Sequence, residues 1–270
     1  MLKKGNRVSR QTVWLFFSLF FLFSASAEAI SIGVTPIRVE HSVPAGGSLT
    51  DAITVANDDS SAVHVRVKVE DWSITQDGAV KFAPGGSQSS SASSWIRVNP
   101  REFDLAPKQS QSVRYALTGP KEAVPGGYRA AIVFATIPRP KPGEKEKRVM
   151  LEGRIATILY ETVGKPVPSG EITNLSFKLN PEGKPEFLIT FENSGKVHIR
   201  TRGEILIRDK AKKEVAKMPL PDVPVLPQSS RDLKATLEER LLPGDYVAEL
   251  IIDIGKKELL AGERKFSIGP

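Results

Sequence analysis

Val63, Val65, Val67 and Val69 alternate with His64, Arg66, Lys68 and Glu70. That is the period of a strand buried on one face. Further short apolar runs, "AAIVFATI", "EFLITFE", "GEILIRD" and "YVAELIIDI", are separated by Asn-Asp, Pro-Gly and Gly-Lys breakers, the punctuation of strands joined by tight turns. One stretch, "SSRDLKATLEERLL", places Leu233, Leu237 and Leu241 at helical spacing. Its counterpart earlier in the chain, "QSQSVRYALTG", alternates as a strand does, and the stretch is read as a strand with it.

That counterpart belongs to an internal repeat. "VANDDSSAVHVRVKV" matches "TFENSGKVHIRTRGEILI", "LAPKQSQSVRYAL" matches "VLPQSSRDLKATL", and "VPGGYRAAIVF" matches "LLPGDYVAELIID", in the same order in both halves. The first copy carries about a dozen extra residues, which the low-complexity segment "GGSQSSSASS" can supply as a loop. The expected fold is all-β: two immunoglobulin-like sandwiches of about seven strands each. The expected domains are residues 30–163 and 171–270, with "VGKPVPSG" giving a short, stiff linker over 164–170.

The first thirty residues differ from the rest. Lys3, Lys4, Arg7 and Arg10 precede an apolar run from Val13 to Phe23, and "SASAEA" follows. This is the layout of an export signal over 1–29, cleaved near Ala27 or Ala29. The run falls short of the roughly 20 apolar residues that a membrane span needs, and no stable membrane insertion is expected after cleavage. Residues 1–27 hold four positive charges and no acid out of a net +7. The remainder is only mildly basic, which argues against a nucleic-acid partner. The sequence contains no cysteine, so export brings no disulfides.

Candidate chemistry is sparse. His41, His64 and His198 are scattered, and two of them stand at matching places in the repeat, which suits a structural role. Neither a nucleophile motif nor a phosphate loop occurs. The acidic pairs Asp58-Asp59 and Glu70-Asp71 lack the ligand spacing of a calcium loop. Trp72 and Trp95 read as core residues. No enzyme, cofactor or metal site is expected.

Four segments in order resemble the first domain of the periplasmic chaperones of pilus assembly. They are "TPIRVEHSVPAGGSLTDAITVAND" (Thr35–Asp58), "WIRVNPREFDLAPKQSQSVRYAL" (Trp95–Leu117), "YRAAIVFATIP" (Tyr128–Pro138) and "VMLEGRIATILYETV" (Val149–Val163). The resemblance implies two immunoglobulin-like domains and a cleft whose basic pair holds the C-terminal carboxylate of a secreted, pilin-like subunit. By position that pair would be Arg38 and Arg154. It also implies a periplasmic location, an outer-membrane assembly platform as a further partner, and a donor or edge strand carrying Val149, Leu151 and Ile155. The chain departs from the family in that strand: Gly153, Leu151 and Val149 are followed backward by Lys147 and Lys145, and burying an unpaired lysine in a subunit groove is costly. Arginine also stands at position 154 where the family usually has lysine. The stretch from Ser93 to Phe134 is similar as well to paired sandwich domains of cell-wall-associated surface proteins. Those imply a soluble envelope scaffold or a module binding peptidoglycan or a surface protein.

Overall fold

The computed structural model describes residues 32–137 and 152–269; the export signal, Val149 and Leu151 lie outside them. The first part of the chain forms β1 (Ile32–Thr35), β2 (Arg38–Val43), β3 (Ser48–Asn57), β4 (Val63–Ile74), β5 (Val80–Pro84), β6 (Ile96–Asn99), β7 (Glu102–Leu105), β8 (Ser110–Thr118), β9 (Gly126–Ile137) and β10 (Gly153–Val163). The second part forms β11 (Gly170–Leu179), β12 (Pro185–Asn193), β13 (Ile199–Arg200), β14 (Arg202–Asp209), β15 (Glu214–Pro219), β16 (Pro224–Val225), β17 (Ser229–Thr236), β18 (Gly244–Asp253) and β19 (Leu260–Ile268). Among the described residues the only helical element is a 3-10 turn at Ser93–Trp95.

Two sandwiches result. In the first, the sheet β1-β3-β8-β6 faces the sheet β2-β10-β9-β4-β5, with β7 also on β4. The alternating valines of β4 point into the core between them, with Ile53, Tyr115, Leu117, Phe134 and Leu159. The chain leaves the first sheet after Thr35 and enters the second at Arg38, so β1 pairs with β3 while β2 lies parallel to β10. In the second sandwich, β11-β12-β17 packs over β15-β14-β18-β19, and β13-β16 closes one end. Phe187, Ile189, Phe191, Ile205 and Leu250 fill its core. The ambiguous leucine-spaced stretch is strand β17 over Ser229–Thr236, paired with β12 throughout. Leu233, Ala235 and Leu237 are buried there, because the ladder partner and the core decide between two patterns that the spacing alone leaves open.

The repeat is visible in its hydrogen bonds. Asn57 donates Nδ2 to the Ser61 and Leu105 carbonyls, and Asn193 donates Nδ2 to those of Val197 and Val225. The Tyr128 hydroxyl donates to the Val124 carbonyl at 3.0 Å and that of Tyr246 to Leu242 at 2.8 Å. Both turns are therefore tied down by the same residue four positions on. The serine-rich segment is indeed a loop, and it is a fitted one. Buried Asp71 accepts from Ser91 Oγ, Gln88 N and Ser87 Oγ, and Arg129 donates to Ser90 Oγ, Gln88 Oε1 and the Trp72 carbonyl. Burial pushes the Asp71 carboxyl up, but these donors outweigh it and hold it below the ordinary carboxylate range.

One charged pair sits inside the first sandwich. Glu161, on an inward position of β10, is 1% exposed. His41 of β2 meets it through Nδ1 at 2.9 Å, with the Tyr115 hydroxyl 3.4 Å from Nε2. The hydrogen bond to Glu161 raises the His41 pKa above 6.5 despite the opposing effect of burial. A histidine whose pKa is raised on folding stabilises the fold fully below its unfolded value, and loses that contribution as pH rises through the folded value. Urea midpoints should therefore fall as pH is raised upward from about 6.5, and His41→Gln should flatten that slope; an equal slope in the variant would remove His41 as its cause.

Candidate functional site

Where the two sandwiches meet, the outer face of the β10 sheet turns apolar. Trp72, Ala131, Val133 and Tyr160 pack with Leu226 of the second sandwich. Trp72 stands edge-on to Tyr160 at 5.2 Å between ring centroids, and Tyr160 lies against His198 at 4.3 Å. The β4–β5 turn reaches across: Asp232 N donates to the Gln76 carbonyl at 2.9 Å, and Gln76 Nε2 to Asp232 Oδ1 at 3.1 Å. Gly78 in that turn has φ +102° and lies against the Arg231 guanidinium; a Cβ there would run into it.

Beside this contact opens a cleft of about 740 Å³ whose walls include Trp72, Ile158, Tyr160 and three arginines, Arg38, Arg200 and Arg231. Arg38 opens β2 and is half exposed, with Glu40 3.4 Å from its Nε. Arg200 is 12% exposed and is clamped by Asp222, which takes Nε through its carboxylate and Nη2 through its carbonyl, both at 2.7 Å. Among the described residues, Arg200 Nη1, Arg231 Nε and Nη1, and Trp72 Nε1 are buried without an acceptor. A buried donor left unpaired costs about 1–3 kcal/mol. Burial lowers the His198 pKa although Glu40 lies 3.6 Å away, so near neutral pH the positive charge here comes from the arginines. Burial likewise pushes the Tyr160 hydroxyl up to about 12, which keeps it a neutral wall.

Arg154 is not in this cleft. In the register of β2 on β10, Arg38 stands opposite Ile158. Arg154 is four residues back along β10, roughly 13 Å at the rise of a strand. Its Nη2 donates to Glu70 Oε2 at 2.6 Å and its guanidinium lies over the Phe82 ring. The structure thus separates the expected pair and brings Arg38 together with Arg200 and Arg231, which belong to the second sandwich. Ile155, the one described member of the expected donor set, is half buried against the first core.

Among the described residues, one side of β10 is paired over only part of its length. Its pairing with β2 begins at Ile158, whose N–H donates to the Ile37 carbonyl at 2.9 Å. Arg154 and Ala156 share the parity of Ile158, so their main-chain groups point the same way. Among the described residues no strand pairs with them on that side. The free stretch ends at Ile158, the residue opposite Arg38.

No family model matches the sequence, and no curated protein does. Solved structures to which the chain is similar include the class 5 fimbriae chaperone CfaA, 13% identical with a TM-score of 0.48 over 87% of this chain and 99% of that one. The E. coli chaperone DraB is similar at 18% identity and a TM-score of 0.44, over 87% and 98%. A chain from the Salmonella enterica complex of SafA pilin with the SafB chaperone is similar at 15% and 0.43, over 90% and 99%. What the chain binds has to follow from its own residues.

Proposed function

We propose that the chain is an exported, chaperone-like protein that holds a secreted β-rich subunit, of the kind assembled into surface fibres, by strand addition along β10 and capture of the subunit's C-terminal carboxylate at Arg38. The observation that carries this reading is the junction of the two features: among the described residues, the edge of β10 without a partner strand runs out at the residue opposite Arg38. A strand laid along Arg154 and Ala156 would find main-chain partners first and a guanidinium at its end, which suits an extended peptide that finishes in a carboxylate. The four ordered segments that resemble pilus chaperones support the same reading. Periplasmic residence and an outer-membrane platform as a second partner are part of the same proposal. Lys145 and Lys147 shorten the apolar donor run and favour holding the subunit at the edge of β10 over filling a deep groove.

Amide exchange resolved by residue tests strand addition. In the free protein the Arg154 and Ala156 amides should exchange rapidly, while those of Ile155 and Thr157, bonded to β9, should be slow. A bound subunit should slow Arg154 and Ala156 by tenfold or more. Binding with no protection of these two amides would exclude strand addition and leave the reading as an envelope scaffold or wall-binding module.

A further inference from the structure

We propose that the carboxylate site is completed by the second sandwich: Arg200 and Arg231, with the Trp72 indole N–H, take the chain end that Arg38 meets at the mouth of the cleft. This rests on the strand-addition reading above. Among the described residues five buried side-chain polar atoms lack a partner, and four of them are donors on Trp72, Arg200 and Arg231. All three residues line this one cleft. All four donors belong to residues of this cleft and lack an acceptor among the described residues, so the complementary group is an anion that only accepts, with two oxygens that can meet guanidinium N–H pairs.

The site is also held in place. Asp222 occupies Nε and Nη2 of Arg200 and leaves Nη1 for another acceptor. The Gly78 turn fixes the Arg231 guanidinium from the other side. The cleft wall beside the arginines is apolar, formed by Ile74, Val80, Ile158 and Pro224. That suits a carboxylate attached to an apolar terminal residue better than a small inorganic anion. One consequence concerns the whole molecule. Arg38 comes from β2 and Arg231 from β17, so the site exists only while the β4–β5 turn keeps the sandwiches docked through Gln76 and Asp232.

The test uses the mature chain and two fluorescein-labelled peptides, Thr-Val-Thr-Val-Ile with a free C-terminal carboxylate and the same peptide amidated, with inorganic phosphate as a competitor. Wild type should bind the free acid about tenfold or more tightly over the amide, since each charge-assisted bond is a strong one. Arg200→Gln and Arg231→Gln should each reduce that ratio about tenfold. Arg200→Lys and Arg231→Lys serve if a glutamine variant fails to fold; they keep the charge, lose the paired N–H geometry and should fall between. If both variants keep the wild-type ratio while Arg38→Gln abolishes it, the second-sandwich site is refuted and the carboxylate reading survives. Equal binding of acid and amide refutes the site and leaves strand addition. Phosphate binding without either peptide makes this a free-anion site, and no binding of any probe removes the site altogether; both outcomes overturn the proposal together with the reading beneath it.

Discussion

Trp72→Ala should destabilise the protein by about 3–5 kcal/mol, the range for deleting a large buried aromatic. The indole is 1% exposed. It stands edge-on to Tyr160 in the cluster that joins the β10 sheet to Leu226 of the second sandwich. Its removal leaves a cavity at the contact between the sandwiches, where the β4–β5 turn cannot collapse without breaking the Gln76–Asp232 bonds. Urea unfolding of the mature chain measures the loss. Probes placed in each sandwich should lose their common transition in the variant, because the cluster is what couples them. A loss below about 1 kcal/mol, within the reach of an ordinary surface change, would mean that the docking is held elsewhere.

Arg38→Ala should weaken binding of a free-carboxylate partner by about 10- to 100-fold, the equivalent of one charge-assisted hydrogen bond. Arg154→Ala should change it by no more than about threefold, because Arg154 is committed to Glu70 and lies up-strand of the carboxylate end. Its effect on stability should also be small: the Arg154 side chain is 43% exposed, and pairs that open to water are worth about 0–1 kcal/mol. Isothermal titration of the two variants against one partner separates them. Equal losses would restore the pair that the resemblance implies.

The fold was readable in the alternation of β4 and in the repeat, since both are local patterns imposed by burying one face of a strand. The repeat even carried its own fastenings, as the Asn57/Asn193 and Tyr128/Tyr246 matches each make the same hydrogen bonds. The pairing of Arg38 with Arg154 rests on resemblance alone. It needs the register of β2 on β10, a long-range property that neither segment encodes alone, and the parallel ladder starts too far along β10 to bring Arg154 near. Arg231 did leave a signal. It shares its parity with Leu233, Ala235 and Leu237, all buried, so a charged residue interrupts an inward-facing apolar series. Reading it as functional required knowing that this end of β17 meets the β4–β5 turn. The serine-rich segment was legible as a loop, while its grip on Asp71 and Arg129 depends on contacts no composition reveals.

The most direct test of the central claim is affinity capture of the tagged mature protein from its native envelope, with wild type, Arg38→Ala and Arg154→Ala in parallel and the retained proteins identified by mass spectrometry. One secreted β-rich protein should accompany wild type and Arg154→Ala and be lost from Arg38→Ala. Retention of the same material by all three, or of wall material alone, would contradict carboxylate capture at Arg38 and with it the chaperone reading.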